Sequence, residues 1–103
     1  MIDIQFTPRA RHDISQILKY FSTYDEQYAN RQISALDDIF DDLGKHPYLW
    51  TYFFITGAPY RARLFSPGRR TAYWIVYRVT ESEKIVKIYR VWSTARDPDA
   101  FRL

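Results

Sequence analysis

The chain has 103 residues, a length that fits one domain with one hydrophobic core. Its 47% hydrophobic and 18% aromatic content lies outside the composition of disordered proteins, and the absence of cysteine excludes disulfides and thiolate metal sites. No signal peptide and no apolar stretch of the ~20 residues that span a bilayer can be recognised. We therefore expect one soluble, cytoplasmic domain over residues 1–103, without membrane contact.

The net charge of +3 is unevenly distributed along the chain. Residues 1–45 carry five Lys and Arg against eight Asp and Glu, whereas residues 46–103 carry ten against four. A basic part next to an acidic part favours an anionic partner, either nucleic acid or an acidic polypeptide. Charge alone is equally compatible with an ordinary solvated surface.

The N-terminal residues predict a strand followed by a helix. Apolar and polar residues alternate over residues 2–6, which is the period of a half-buried strand. Thr7 offers an N-cap oxygen and Pro8 fits the first helical turn, so a helix is expected from there to about Phe21. Its apolar stripe consists of Ala10, Ile14, Ile17, Leu18 and Phe21. Its solvent side consists of Arg9, Arg11, Asp13, Gln16 and Lys19.

A second helix is predicted after a short break at residues 22–24. Thr23 and Glu26 have the spacing of a capping box, and Gly44 suits the position just past the helix end. The apolar stripe consists of Ala29, Ile33, Leu36, Phe40 and Leu43. Such a short connection predicts an antiparallel helix hairpin that packs on a sheet. Four aspartates form a solvated face rather than a metal site, because no histidine accompanies them: Asp37, Asp38, Asp41 and Asp42.

The segment after the helices is rich in aromatic residues. We interpret residues 48–59 as a packed loop with a short extended piece, and its length is typical of a lid or of part of a binding surface. His46 is interpreted as a helix-terminal or loop histidine rather than a catalytic base. No metal or cofactor site is expected.

Three β-branched and aromatic runs separated by turns follow, which predicts an antiparallel meander. The middle run, residues 71–79, is apolar on both faces, so we expect helices on one side and a partner or the C-terminal tail on the other. The predicted class is α+β. An N-terminal strand, an antiparallel helix hairpin and a three-stranded antiparallel meander form one sheet packed on the helices.

Arginine recurs along the meander, interleaved with tyrosine and tryptophan. We interpret this pattern as a cationic, aromatic sheet face that is the working surface. The residues are Arg61, Arg63, Arg78, Arg90 and Arg96 with Tyr60, Tyr73, Trp74, Tyr77, Tyr89 and Trp92. The alternatives are solvated or capping arginines and tryptophans that belong to the core rather than to a stacking platform.

Three segments of the meander carry a family resemblance. They are residues 60–64 (YRARL), residues 73–79 (YWIVYRV) and residues 88–97 (IYRVWSTARD). Together with His46-Pro47 after the second helix, and in this order, they resemble the RelE/ParE superfamily of toxins from bacterial type II toxin–antitoxin modules.

The resemblance implies one of two activities. RelE-like members cleave mRNA in the ribosomal A site, and ParE-like members inhibit DNA gyrase without cutting nucleic acid. Arg61 and Arg63 match positions where nuclease members hold the RNA backbone, and Arg96 matches a third, so these three are the catalytic candidates of an endoribonuclease. Candidates for a partner or RNA surface are Tyr60, Tyr73, Arg78, Arg90 and Trp92.

The proton-transfer groups of the nuclease branch are not matched. Ser93 stands where many nuclease members carry histidine, and Phe101 stands near a position where some carry tyrosine. Glu81 and Glu83 lie in a predicted hairpin turn. The remaining hydroxyl groups that can substitute are those of Tyr60, Tyr73 and Tyr77.

The expected function is therefore that of a ParE-like toxin, which inhibits DNA gyrase and blocks growth, as in plasmid stabilisation, until an antitoxin neutralises it. The resemblance implies that the antitoxin's C-terminal segment wraps the toxin, and the basic sheet favours an acidic, amphipathic segment. The alternative is a RelE-like mRNA interferase whose partners are the ribosome and mRNA. A third reading is a non-toxic nucleic-acid-binding module.

Overall fold

The structure, a computed structural model, describes residues 2–68 and 71–103. Its elements are β1 (Asp3–Phe6), α1 (Pro8–Ser22), α2 (Glu26–Lys45), β2 (Tyr60–Phe65), β3 (Tyr73–Thr80), β4 (Ile85–Ser93) and a 3-10 turn at Pro98–Ala100. This order confirms the predicted α+β class. Arg69 and Arg70, in the predicted turn between β2 and β3, lie outside the described residues. None of the helices in the described part is long and apolar enough to span a membrane.

The four strands form one sheet in the order β1-β4-β3-β2. The meander pairs are antiparallel, and β1 runs parallel to β4 because the helix hairpin carries the chain back across the sheet. Opposite Val76 and Tyr77 the register shifts so that Tyr89 is an extra residue in β4. Such a bulge bends a strand and redirects the side chains beyond it, here from Arg90 onward.

The helix ends differ partly from the predictions. Thr7 caps α1 as expected, since its side chain accepts a hydrogen bond from the Ala10 N–H. The predicted capping box at Thr23 is wrong. Asp25 caps α2 by accepting from the Tyr28 N–H at 2.6 Å, and the Thr23 hydroxyl instead donates to the Tyr20 carbonyl.

Gly44 does not end α2, as predicted, but lies inside it and is buried. A Cβ atom at this position would lie 3.1 Å from the Ile2 carbonyl oxygen and 3.5 Å from the Ile4 side chain. The glycine therefore lets β1 approach the helix closely, and His46 takes the C-cap position instead.

Each face of the sheet is covered by its own hydrophobic cluster. The helices pack on one face, around Ile75, Tyr77 and Ile88. The opposite face carries a second cluster, formed by Phe53, Ala62, Val76, Trp92 and Phe101. The second face of β3 is thus covered by the C-terminal tail, one of the two predicted occupants, together with the loop before β2.

Candidate functional site

The loop before β2 is held against the edge of the sheet. We call residues 48–59 the aromatic loop. The Phe53 N–H donates to the Tyr60 carbonyl at 2.8 Å, and the Ala62 N–H donates to the Thr51 carbonyl at 3.1 Å. A β-bridge between Tyr52 and Arg61 confirms the predicted short extended piece. The aromatic loop therefore covers the first half of β2.

Arg61 supports the aromatic loop from the neighbouring strand. Its Nη1 donates to the Trp50 carbonyl oxygen at 2.7 Å. Its guanidinium carbon lies 4.4 Å from the ring centre of Tyr52 and 5.4 Å from that of Tyr48. Cation–π contacts of this kind contribute about 0.5–1 kcal/mol at exposed sites. The side chain is therefore engaged by the loop.

Arg63 makes similar contacts one pleat further along β2. Its Nη1 lies 2.7 Å from Asp42 Oδ2, and its guanidinium carbon lies 4.8 Å from the ring centre of Trp50. The ion pair is partly exposed and contributes little to stability, but it fixes where the guanidinium points. One of the four predicted solvated aspartates, Asp42, is thus a partner of this arginine.

Tyr77 lies beneath these arginines, fully buried. Its hydroxyl donates to the Pro47 carbonyl oxygen at 2.9 Å. Burial raises the pKa of Tyr77 from 10.0 to about 12, although the positive charges of Arg61 and Arg63 lower it. Burial also raises the pKa of Tyr73. Neither phenol is suited to accept a proton at neutral pH.

Replacing Tyr77 with phenylalanine tests this account through pH. Because the folded-state pKa of about 12 lies above the unfolded value of 10.0, the stabilisation is complete below pH 10 and is lost as the pH rises through that window. The free energy of unfolding should therefore fall less steeply in Tyr77→Phe than in the wild type above pH 10. At neutral pH the variant should lose about 1–3 kcal/mol, because the Pro47 carbonyl loses its partner. Urea titrations across this range measure both effects; parallel curves would contradict the assignment.

The outer side of the aromatic loop forms an apolar surface. We define the aromatic surface as Tyr48, Leu49, Tyr52 and Phe54. Each of these residues is more than half exposed. Tyr48 and Tyr52 lie beside Arg61, whereas the Phe54 ring packs against Trp74. Exposed apolar residues concentrated in one loop are typical of interaction sites in soluble proteins. The arginine-rich strand therefore lies behind a largely aromatic contact face.

The third predicted catalytic arginine lies elsewhere. Arg96 stacks on Trp92 at 4.0 Å, and Trp92 belongs to the second cluster. Arg61 and Arg63 pair with Tyr77 and Ile75 on the helix-covered face. The structure therefore does not bring Arg61, Arg63 and Arg96 together around one point.

The predicted partner-surface residues divide into two groups. Tyr73, Arg90 and Trp92 are buried, whereas Arg78 is exposed and Tyr60 is half-buried. Arg90 forms a bidentate ion pair with Asp13: its Nε lies 2.7 Å from Oδ2 and its Nη2 lies 3.2 Å from Oδ1. Arg90 also donates to the Arg102 carbonyl oxygen. Buried side chains cannot form a free contact surface for a protein partner, so these three do not belong to the proposed gyrase contact.

The prediction that Asp13 lies on the solvent side of α1 is wrong. Asp13 is half-buried and also accepts from the Val91 N–H at 3.1 Å. Asp13 lies three residues after Ala10, which belongs to the buried stripe, and this spacing was the available signal that Asp13 faces inward. The partner, Arg90, lies 77 residues away, so the sequence pattern could not identify it.

The other residues at candidate proton-transfer positions lie at strand or helix ends, in a turn and in the second cluster. Ser93 Oγ accepts from the Ala95 N–H at 3.2 Å, and Phe101 is buried in the second cluster. Glu81 and Glu83 lie in the turn between β3 and β4. His46 is exposed at the C-cap of α2. Over residues 2–68 and 71–103, no group of three His, Cys, Asp or Glu residues is arranged to hold a metal ion.

The comparisons with known proteins identify the family. The model of the ParE toxin of the type II toxin–antitoxin system parDE matches residues 4–98. Among solved structures, a toxin from Helicobacter pylori, described as metal-bound, is similar with a TM-score of 0.53 and 15% identity, covering 98% of this chain and 100% of its own. At that identity the likeness shows the fold alone. The comparison with curated proteins gave no match. The chain belongs to the ParE toxin family and is the toxin of a type II toxin–antitoxin system, which implies an antitoxin partner.

Proposed function

We propose that this toxin blocks growth by inhibiting DNA gyrase through direct protein contact. The observation that carries the proposal is the arrangement of Arg61 and Arg63. Both guanidinium groups are engaged by the chain itself, one by the Trp50 carbonyl and one by the Asp42 carboxylate. They support the aromatic surface instead of presenting two free cations to a phosphate backbone.

The aromatic surface has the composition of a protein-binding site. Tyrosine, tryptophan and arginine are the residues that most often dominate binding energy at protein interfaces. Tyr48 and Tyr52 are exposed, and Arg61 lies against both rings. A rigid apolar face of this kind gains most from a protein target with a complementary apolar patch. The resemblance to the ParE-like branch implies that this protein target is gyrase.

The chemistry of mRNA cleavage has less support in the described residues. Of the three arginines that match nuclease positions, Arg61 and Arg63 lie on β2 and are bound by the chain itself, whereas Arg96 lies beyond the end of β4, stacked on Trp92. The phenols of Tyr73 and Tyr77 are buried with raised pKa values, and Phe101 has no hydroxyl. Cleavage through a ribose hydroxyl requires groups that accept and donate protons. We therefore place gyrase inhibition ahead of endonuclease activity.

The antitoxin segment is proposed to be acidic and amphipathic. The residues from position 46 onward carry ten Lys and Arg against four Asp and Glu. Acidic side chains complement this charge, and apolar side chains complement the aromatic surface. Such a segment would hide the surface that we assign to gyrase, which explains how one partner prevents contact with the other.

A short induction experiment in bacteria without the antitoxin tests the proposal. Incorporation of labelled thymidine and labelled methionine is followed over the first minutes. We expect DNA synthesis to fall first. An earlier fall in methionine incorporation would assign the toxin to the ribosome and overturn the proposal. A culture that grows normally with folded toxin present would favour a non-toxic nucleic-acid-binding module.

The aromatic surface can be tested in the same experiment. The double variant Tyr48→Ser/Tyr52→Ser removes two exposed rings and should abolish the early fall in DNA synthesis. The matched control is Tyr20→Ser/Tyr24→Ser, which removes two exposed rings from the tip of the helix hairpin. The control should remain toxic. Equal loss of toxicity in both variants would argue against a localised binding surface.

A further inference from the structure

A second concave site lies beside β4, two strands away from β2. The start of α1, β4 and the C-terminal tail enclose an open pocket of about 450 Å³. Its charged and aromatic lining consists of Arg9, His12, Arg90, Trp92, Arg96 and Arg102, with Asp13. The aromatic surface contributes none of its residues to this pocket.

Arg96 is the side chain best placed to bind a ligand here. Its guanidinium carbon lies 4.0 Å from the ring centre of Trp92, which is only 3% exposed. Within residues 2–68 and 71–103, the Arg96 side chain forms no hydrogen bond and no salt bridge. A stacked guanidinium is held flat while its N–H donors remain at its edge, in the geometry that suits two oxygens of a phosphate.

The positive charge of the pocket is not cancelled by its acidic residue. Both oxygens of Asp13 are occupied by Arg90 and by the Val91 N–H. Arg102 donates to the carbonyl oxygens of Asp99 and Phe101, which are neutral, and it forms no salt bridge in the described part of the chain. In the described part of the chain, neither Arg96 nor Arg102 is therefore paired with a carboxylate.

We propose that this pocket binds the phosphate groups of a small molecule, of the class of pyrophosphate or nucleoside triphosphates. The volume of about 450 Å³ is in the range of small-molecule sites. The floor is recessed, since Arg90 and Trp92 are buried, which favours a small ligand over a nucleic acid duplex. Arg96 binds one phosphate through its free edge and Arg102 adds charge from the tail. The proposal is independent of the gyrase target.

Calorimetric titration of the full chain with pyrophosphate and with ATP tests the site. We expect saturable binding at one site, weakened about tenfold or more by Arg96→Gln and similarly by Arg102→Gln. The matched control is Arg11→Gln. Arg11 is exposed on the same helix as Arg9 but does not line the pocket, so affinity should stay within about twofold. Thermal unfolding of each variant verifies that it is folded.

Three results would overturn the proposal. One is the absence of saturable binding to the folded wild type. Another is an equal loss in Arg96→Gln and Arg11→Gln, which would mean that only total charge matters. The third is binding of a single-stranded oligonucleotide that depends on Arg96 while ATP does not bind, which would assign the pocket to nucleic acid. Gyrase inhibition is not a readout in any of these titrations, so their failure leaves the proposed function untouched.

Discussion

Replacing Asp13 with alanine should lower the free energy of unfolding by about 3–5 kcal/mol, because it leaves a buried arginine without its counter-charge. Arg90 is only 8% exposed and donates two hydrogen bonds to Asp13. Asp13 also accepts from the Val91 N–H, so one substitution disconnects α1 from β4 at three hydrogen bonds. Chemical denaturation of the wild type and of the variant measures the loss.

The matched control is Asp38→Ala, which removes an exposed carboxylate from α2. We expect its free energy of unfolding to change by less than about 0.5 kcal/mol. Arg90→Ala should lower the free energy of unfolding less than Asp13→Ala does. It removes the buried positive charge itself, and the Asp13 carboxylate still accepts from the Val91 N–H. Equal, small effects of Asp13→Ala and Asp38→Ala would contradict the role assigned to this ion pair.

Replacing Phe53 with alanine should cost about 3–5 kcal/mol, as expected for a large aromatic side chain removed from a core. Phe53 is 1% exposed and contacts Trp74 and Phe101, with ring centres 6.1 and 5.2 Å away. It joins the aromatic loop to the C-terminal tail across the second face of the sheet. The variant should therefore loosen both segments, which thermal unfolding and limited proteolysis would detect.

The neighbouring residue provides a control of the same type. Phe54 is 68% exposed, so Phe54→Ala should change stability by less than about 1 kcal/mol. Because Phe54 belongs to the aromatic surface, this variant should nevertheless lose toxicity while remaining folded. A Phe54→Ala protein that is fully toxic would remove this residue from the proposed contact. A stable Phe53→Ala protein would contradict the packing of the loop.

Local sequence patterns were sufficient for most of the fold. The alternation at residues 2–6, the stripe of the first helix and the three β-branched runs each depend on nearby residues and were confirmed. The stripe of the second helix was confirmed except for Ile33, which is 38% exposed. The second cap was missed because Thr23 and Asp25 both offer a suitable oxygen. Asp25 immediately precedes the helix, whereas the Thr23 hydroxyl is taken by the Tyr20 carbonyl.

The site was harder to predict because its contacts join distant residues. The pattern identified Arg61, Arg63 and Arg90 as important, but their partners Trp50, Asp42 and Asp13 lie 11, 21 and 77 residues away. The periodicity of apolar residues along a helix or strand carries no information about such distant pairs. The sequence pattern around an arginine on a strand does not show whether its side chain will bind a phosphate of a ligand or a carboxylate of its own chain.

The most direct test of the central claim is plasmid supercoiling by purified gyrase in the presence of the purified toxin. Relaxed plasmid and ATP are supplied, and a parallel reaction contains ribosomes programmed with mRNA. We predict that the toxin inhibits supercoiling, that Tyr48→Ser/Tyr52→Ser does not, and that the mRNA stays intact. Normal supercoiling together with cleaved mRNA would contradict the account and would assign this toxin to the ribosome.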